Sequence, residues 1–164
     1  MSSYHNTFEI QSDKRPTFND VTEQVADLVV GSTIKNGVCI VYSQHTTCSV
    51  IIQEQSDDVD YYGEQVIMQD LVNALSKIIP TCTTEHQYLH PGVKHIEIAA
   101  RERNEEAWWS LNTDAHLRSV ILGRSACVPI VDGKMQLGEF GRIYFADFDQ
   151  VRARKRTVTV QIVG

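Results

Sequence analysis

Lys35-Asn36-Gly37-Val38-Cys39-Ile40-Val41-Tyr42, followed after a short polar interruption by Cys48-Ser49-Val50-Ile51-Ile52, is the stretch that decides the fold. Lys35-Asn36-Gly37 is turn chemistry. The run it launches, Val38–Tyr42, is apolar on both faces, the pattern of a central strand buried on two sides. Working outward, Tyr4–Ile10 alternates as a first strand. Asn19-Asp20 offers an N-cap ahead of Val21, Val25, Leu28 and Val29, which are spaced as on a helix, and Gly31 stops it. Ser56-Asp57-Asp58 reads as a second helix start, with acids where the helix dipole favours them. Its apolar stripe is Val59, Tyr62, Val66, Ile67, Leu71, Leu75 and Ile78, and Pro80 ends it. Glu102–Ser110 reads as a short helix carrying Trp108 and Trp109. Strands return at Ala126–Val131, at Lys134–Leu137 beyond the hairpin signal Asp132-Gly133, at Arg142–Phe148 and at Thr157–Val163. Two helices and about seven strands, mostly in hairpin order, predict an α+β fold. The expectation is a single domain over 1–164, a mainly antiparallel β-sandwich-like sheet with two helices.

Composition narrows the function. The chain has 164 residues, 42% hydrophobic and 22% charged, with a net charge of −6. That suits one soluble domain with one core and excludes disorder. The apolar stretches are too short to span a membrane. Residues 1–15 hold no charged segment leading into an apolar run, so no secretory signal is expected. Cys39, Cys48, Cys82 and Cys127 are scattered without a Cys-x-x-Cys pair, which predicts free thiols and a cytoplasmic setting. Cys39 and Cys127 sit in apolar runs as small hydrophobes. An acidic balance argues against nucleic acid as a partner. One local exception is the basic cluster of Arg152, Arg154, Lys155 and Arg156, which is a solvated hairpin tip unless it faces a cleft, where it becomes a phosphate clamp.

Reactive side chains concentrate in three places. Gln44-His45-Thr46-Thr47 precedes the strand that ends at Gln53-Glu54-Gln55, with Asp57 and Asp58 beyond; the acids are either caps or site residues. His86-Gln87-Tyr88-Leu89-His90 spaces two histidines four apart, but Pro80 and Pro91 disfavour a helix there, leaving loop histidines or ligands. Asn112-Thr113-Asp114-Ala115-His116-Leu117-Arg118 holds Asp114 and His116 as an oriented acid–base or ligand pair. Nucleophile elbow, Walker loop and dinucleotide fingerprint are all missing.

In order along the chain, His45-Thr46-Thr47, Tyr88-x-His90, Asp114-Ala115-His116-Leu117, Leu122-Gly123-x-Ser125, Val131-x-Gly133-x-x-x-Leu137-Gly138 and Ile143-Tyr144-Phe145-x-x-Phe148-Asp149 resemble the YjbQ-like family. Its members carry the name secondary thiamine-phosphate synthase-type proteins. The resemblance implies a compact sandwich-like α+β fold, commonly a homotrimer, with His45, His90 and His116 converging on a divalent metal. Zinc is the metal first expected. The family name implies joining a pyrimidine-methyl pyrophosphate to a thiazole phosphate with release of pyrophosphate. This chain departs from the family pattern at Gln53 and Gln55, at Phe140 and Gly141, and at Gln150-Val151. It also carries extra residues between His90 and Asp114, Trp108-Trp109 among them.

The resulting expectation is a metal-assisted enzyme acting on a phosphorylated small molecule. Glu54 and Asp114 stand as its base or orienting acids. Thr46, Thr47, Arg118, Arg124 and Ser125 stand as contacts to the substrate. Phosphate-ester hydrolysis is an alternative reaction, and a non-catalytic metabolite- or metal-binding trimer an alternative role. His86 and His95 are expected outside the site.

Overall fold

The computed structural model describes residues 2–164. In chain order its elements are β1 (Ser3–Gln11), β2 (Thr17–Asp20), α1 (Thr22–Gly31), β3 (Gly37–Ser43), β4 (Cys48–Glu54), α2 (Val66–Ile78) and α3 (Val93–Arg103). A single 3-10 turn (Ala107–Ser110) follows, then α4 (Thr113–Leu122), β5 (Ser125–Val131), β6 (Lys134–Met135), β7 (Gly141–Asp147) and β8 (Lys155–Val163). The strands form two antiparallel sheets, one ordered β1-β8-β3-β5-β6 and the other β2-β7-β4.

Alternation dictates how the sheets meet. Cys39 and Val41 of β3, Val128 and Ile130 of β5, and Val158, Val160 and Ile162 of β8 all point one way. They meet Cys48 and Val50 of β4 and Ile143 and Phe145 of β7, and Val21, Val25 and Val29 of α1 close the same core. The opposite face of β7 is buried as well, since Ala146 and, just beyond the strand, Phe148 pack against Leu75 of α2 and Ala115 of α4. The molecule is therefore layered sheet on sheet on helices. The turn opening β3 requires its glycine, because a Cβ at Gly37 would collide with the Val163 carbonyl oxygen. At the other hairpin Asp132 and Gly133 take φ of 50° and 77°, the paired left-handed geometry that the dipeptide signals.

Several expectations need correcting. There are two more α-helices than expected. In α4 the buried face is Thr113, Asp114, Ala115, Arg118 and Ser119, whereas Val120 is 78% exposed, so hydrophobic periodicity gives no sign of it. Helix α3 buries only Ala99 and begins just after Gly92, beyond the proline taken as a breaker. The short helix expected over Glu102–Ser110 is a 3-10 turn at Ala107–Ser110 only. Helix α2 starts at Val66, not near Asp58, because Asp60 accepts the backbone N–H groups of Tyr62 and Glu64 and folds that segment into a turn. Val59 and Tyr62 are consequently exposed.

Strand β2 replaces the expected cap and pairs with β7, although the Asp20 carboxylate does accept the Thr22 N–H at the start of α1. β3 is central but not buried twice: on its outer face Val38 is exposed and Ile40 and Tyr42 are half-buried. Cys127 shares that face and is exposed. All four cysteines are free, and no helix among the described residues is long and apolar enough to cross a membrane.

Candidate functional site

The β3–β8 pairing runs to Ser43↔Val158 and so lays the loop Gln44–Thr47 beside the start of β8. His45 Nε2 there accepts the Thr157 backbone N–H at 2.9 Å. In a neutral ring that leaves the proton on Nδ1 and commits the only lone pair to the main chain. His45 thus faces the site but is not available as the metal ligand the resemblance implies, since a ligand needs that lone pair.

Arg156 enters from β8 and is 4% exposed. Asp147 receives it at two points, Nε–Oδ2 2.6 Å and Nη2–Oδ1 3.1 Å, and Thr47 Oγ1 accepts from Nη2 at 3.2 Å. Nη1 has no partner among the described residues. Arg154 reaches Asp149 Oδ2 at 3.2 Å, and Asn112, at the N-terminus of α4, donates to the same oxygen at 3.3 Å. Both arginines line one cavity of about 370 Å³ with Gln44, His45, Thr46, Thr47, His95, Arg103, Glu105, Trp109, Ser110, Asn112 and His116. The basic cluster therefore faces a cleft. At its mouth Glu105 pairs with Arg152 at 2.6 Å and Arg103 at 3.4 Å, and the Arg152 guanidinium lies 3.9 Å from the Trp109 ring centre. Four guanidiniums against three carboxylates leave this neighbourhood positive within an acidic chain.

The imidazoles are tuned toward neutrality. Burial lowers the His45 pKa, with Arg156 adding to the effect. Burial and the neighbouring His95 and His116 lower that of His90. Burial outweighs a bond from the His116 ring to the Thr46 carbonyl and lowers His116 too. Thr113 Oγ1 donates to the His90 carbonyl at 2.6 Å, so His90 Nδ1 donates to that hydroxyl at 2.9 Å and Nε2 keeps its lone pair. The His90 ring lies 4.7 Å from His95 and 5.8 Å from His116, centre to centre. His95, expected outside, belongs to the histidine group. The extra helix α3 carries it there, and no spacing rule predicted that helix. His86 sits in an exposed loop away from the cavity. Among the described residues no three His, Cys, Asp or Glu side chains are gathered to hold one ion.

Most of the remaining expected site residues go elsewhere. Glu54 ends the seven-residue strand β4. At roughly 3.3 Å per residue it stands about 20 Å from the His45 loop, and it is exposed. Asp114 and Arg118 lie on the buried face of α4, paired at 3.6 Å, with Arg118 0% exposed. Arg118 donates to the Ile79 carbonyl at 2.9 Å and to Ser76 and Thr81 at 3.2 Å each, tying α4 to the end of α2. Arg124 sits 5.7 Å from the Tyr42 ring centre, and Ser125 opposes Tyr42 on the outer sheet face. Thr46 and Thr47 do line the cavity. Sequence reasoning missed Asp147, Asp149, Glu105, Arg103 and Asn112; the one signal was the basic run 152–156, whose counter-ions lie just before it.

These features define a class: a small antiparallel sandwich with an arginine- and histidine-lined polar cavity between its sheet edge and a helical cap. The family model described as "UPF0047 protein YjbQ-like" matches residues 6–164, and the chain belongs to that family. A UPF0047 protein of Methanothermobacter thermautotrophicus is 28% identical over 160 residues, spanning 98% of this chain and 93% of the relative. One from Archaeoglobus fulgidus is 30% identical over 146 residues, spanning 89% and 92%. A crystal structure of a YbjQ-like protein from Sulfolobus solfataricus superposes with a TM-score of 0.76 at 23% identity, covering 99% of this chain and 98% of that one. It shares the fold.

Proposed function

We propose that the chain is an enzyme acting on a phosphorylated small molecule. The observation that carries this reading is that Arg154 and the buried Arg156 open onto the same cavity as His45 and His116, whose pKa values burial lowers, favouring the neutral ring. Asp147 holds the Arg156 guanidinium from one side, so its free Nη1 is oriented before a ligand arrives. Breaking a phosphate ester or expelling pyrophosphate builds negative charge on phosphate oxygens. Fixed guanidiniums stabilise that charge without reorganising. A neutral imidazole at His116 is suited to take or return the proton. Hydrolysis and a thiamine-phosphate synthase-like condensation are both served by this arrangement.

Incubating the protein with a panel of phosphate monoesters and with pyrimidine-methyl pyrophosphate plus thiazole phosphate, and following released phosphate and pyrophosphate, tests the reading. Turnover is expected across the neutral range. It should fall only below about pH 6.5, as imidazoles with lowered pKa values take up protons and cease to act as bases. Phosphate binding without turnover of any of these compounds would leave the non-catalytic binding role.

A second reading adds a divalent metal, zinc first, and is favoured by the lone pair on His90 Nε2 beside His95 and His116. Such an ion would supply Lewis acidity to a phosphate oxygen. Elemental analysis of the purified wild type and His116→Ala, beside the turnover assay, tests it; full turnover in metal-free protein rejects it. The apolar outer sheet face with the exposed Val38 and the half-buried Ile40 and Tyr42 supports the homotrimer. Light scattering should then give three times the 18.5 kDa chain mass, and a monomer mass counts against it.

A further inference from the structure

The mouth of the cavity contains an anion position that the chain fills with its own side chain. Asn104 closes α3 in the left-handed conformation (φ 52°), and the Glu105 N–H bonds back to the Ala99 carbonyl at 3.2 Å. That cap fixes the backbone from which the Glu105 carboxylate reaches Arg152 and Arg103. The fit to Arg152 is incomplete: Glu105 Oε1 takes only Nη2, at 2.6 Å, while Arg152 Nε is buried and has no acceptor. Trp109 Nε1, beside it, is a second buried donor with no acceptor. A carboxylate not tethered to this backbone can lie in the guanidinium plane and accept from Nε and Nη2 together, the stronger forked geometry. Glu105 and both of its partners are partly open to solvent, and ion pairs of that kind contribute little to stability, so exchange is cheap. The Trp109 ring keeps Arg152 in place after Glu105 leaves.

We infer that Arg152 and Arg103 form a carboxylate subsite next to the Arg154–Arg156 phosphate position, and that Glu105 occupies it as an internal stand-in until a ligand displaces it. The matching ligand class is a small phosphorylated carboxylic acid. This inference rests on the phosphate reading proposed above and adds the second charge to it. It also assigns a purpose to the segment between His90 and Asp114, which supplies Arg103, Glu105 and Trp109 to the cavity.

Calorimetric titration of the full chain with orthophosphate, phosphoglycolate and pyrophosphate tests it, using wild type, Glu105→Gln and Arg152→Met. Removing the competing charge should raise phosphoglycolate affinity about tenfold in Glu105→Gln while orthophosphate stays within about twofold. Arg152→Met should erase the advantage of phosphoglycolate over orthophosphate; equal melting temperatures across the three proteins show that the fold is unchanged. An unaltered phosphoglycolate-to-orthophosphate ratio in Glu105→Gln overturns the inference while leaving the phosphate reading intact. A gain for pyrophosphate as large as for phosphoglycolate overturns the carboxylate assignment. Absence of orthophosphate binding to the wild type removes both.

Discussion

Arg118→Met is expected to lower the stability of the chain by about 3–5 kcal/mol, the cost of stripping one partner from a buried ion pair. The guanidinium is wholly enclosed and binds the Ile79 carbonyl and the Ser76 and Thr81 hydroxyls, so its loss strands three acceptors as well as the Asp114 carboxylate. Asp114 is already strained toward its neutral form. Burial pushes its pKa up, against the lowering effects of the Cys82 backbone bond and of Arg118. Without Arg118 nothing cationic remains beside it. Urea denaturation of the wild type and the variant measures the loss. Replacing both partners with apolar residues in an Arg118→Met, Asp114→Leu pair should recover part of it, because no buried charge is then left unmatched. Unchanged stability with weakened phosphate binding would return Arg118 to the role of substrate contact.

Arg154→Met is expected to cost orthophosphate affinity by about a hundredfold, or roughly 2.8 kcal/mol, while stability moves by less than about 1 kcal/mol. The asymmetry follows from its surroundings. The guanidinium is partly open to the cavity, and Asp149 retains the Asn112 side chain, the Val151 N–H and Arg156 when Arg154 is gone. Arg156 is a poorer choice for the same experiment, because Asp147 would be left buried and unpaired and the fold would suffer with the site. Titration by calorimetry at two salt concentrations reads the effect. A guanidinium that meets phosphate directly should also carry part of the salt dependence, so the variant's slope should be shallower. Equal affinity in wild type and variant would place the anion elsewhere.

The strands were legible because alternation is a local property. Val158, Val160 and Ile162 against Thr157, Thr159 and Gln161 assign a face to β8 before any partner is known. Asp132-Gly133 signalled its hairpin for the same reason. Reading failed where a local signal had a second use. Asp57 and Asp58 look like helix caps, yet the neighbouring Asp60 builds a turn and α2 begins at Val66. It failed again at α4, whose buried side carries the Asp114–Arg118 pair while Leu117, Val120 and Ile121 face outward. Of the residues named by motif, His45, Thr46, Thr47 and His116 line the cavity, whereas Glu54, named for its closeness in sequence, lies at the far end of its strand.

The amino-acid sequence by itself determined an antiparallel α+β domain, a free-thiol chain and a cluster of arginines before the final strand, since each depends on residue type and short-range spacing. Which side chains share the cavity was decided only by tertiary structure. The bond that commits His45 spans 112 positions, and the contact of Arg156 with Thr47 spans 109. Partners so far apart meet only when β8 pairs between β1 and β3, and a short-range pattern carries no information about that register.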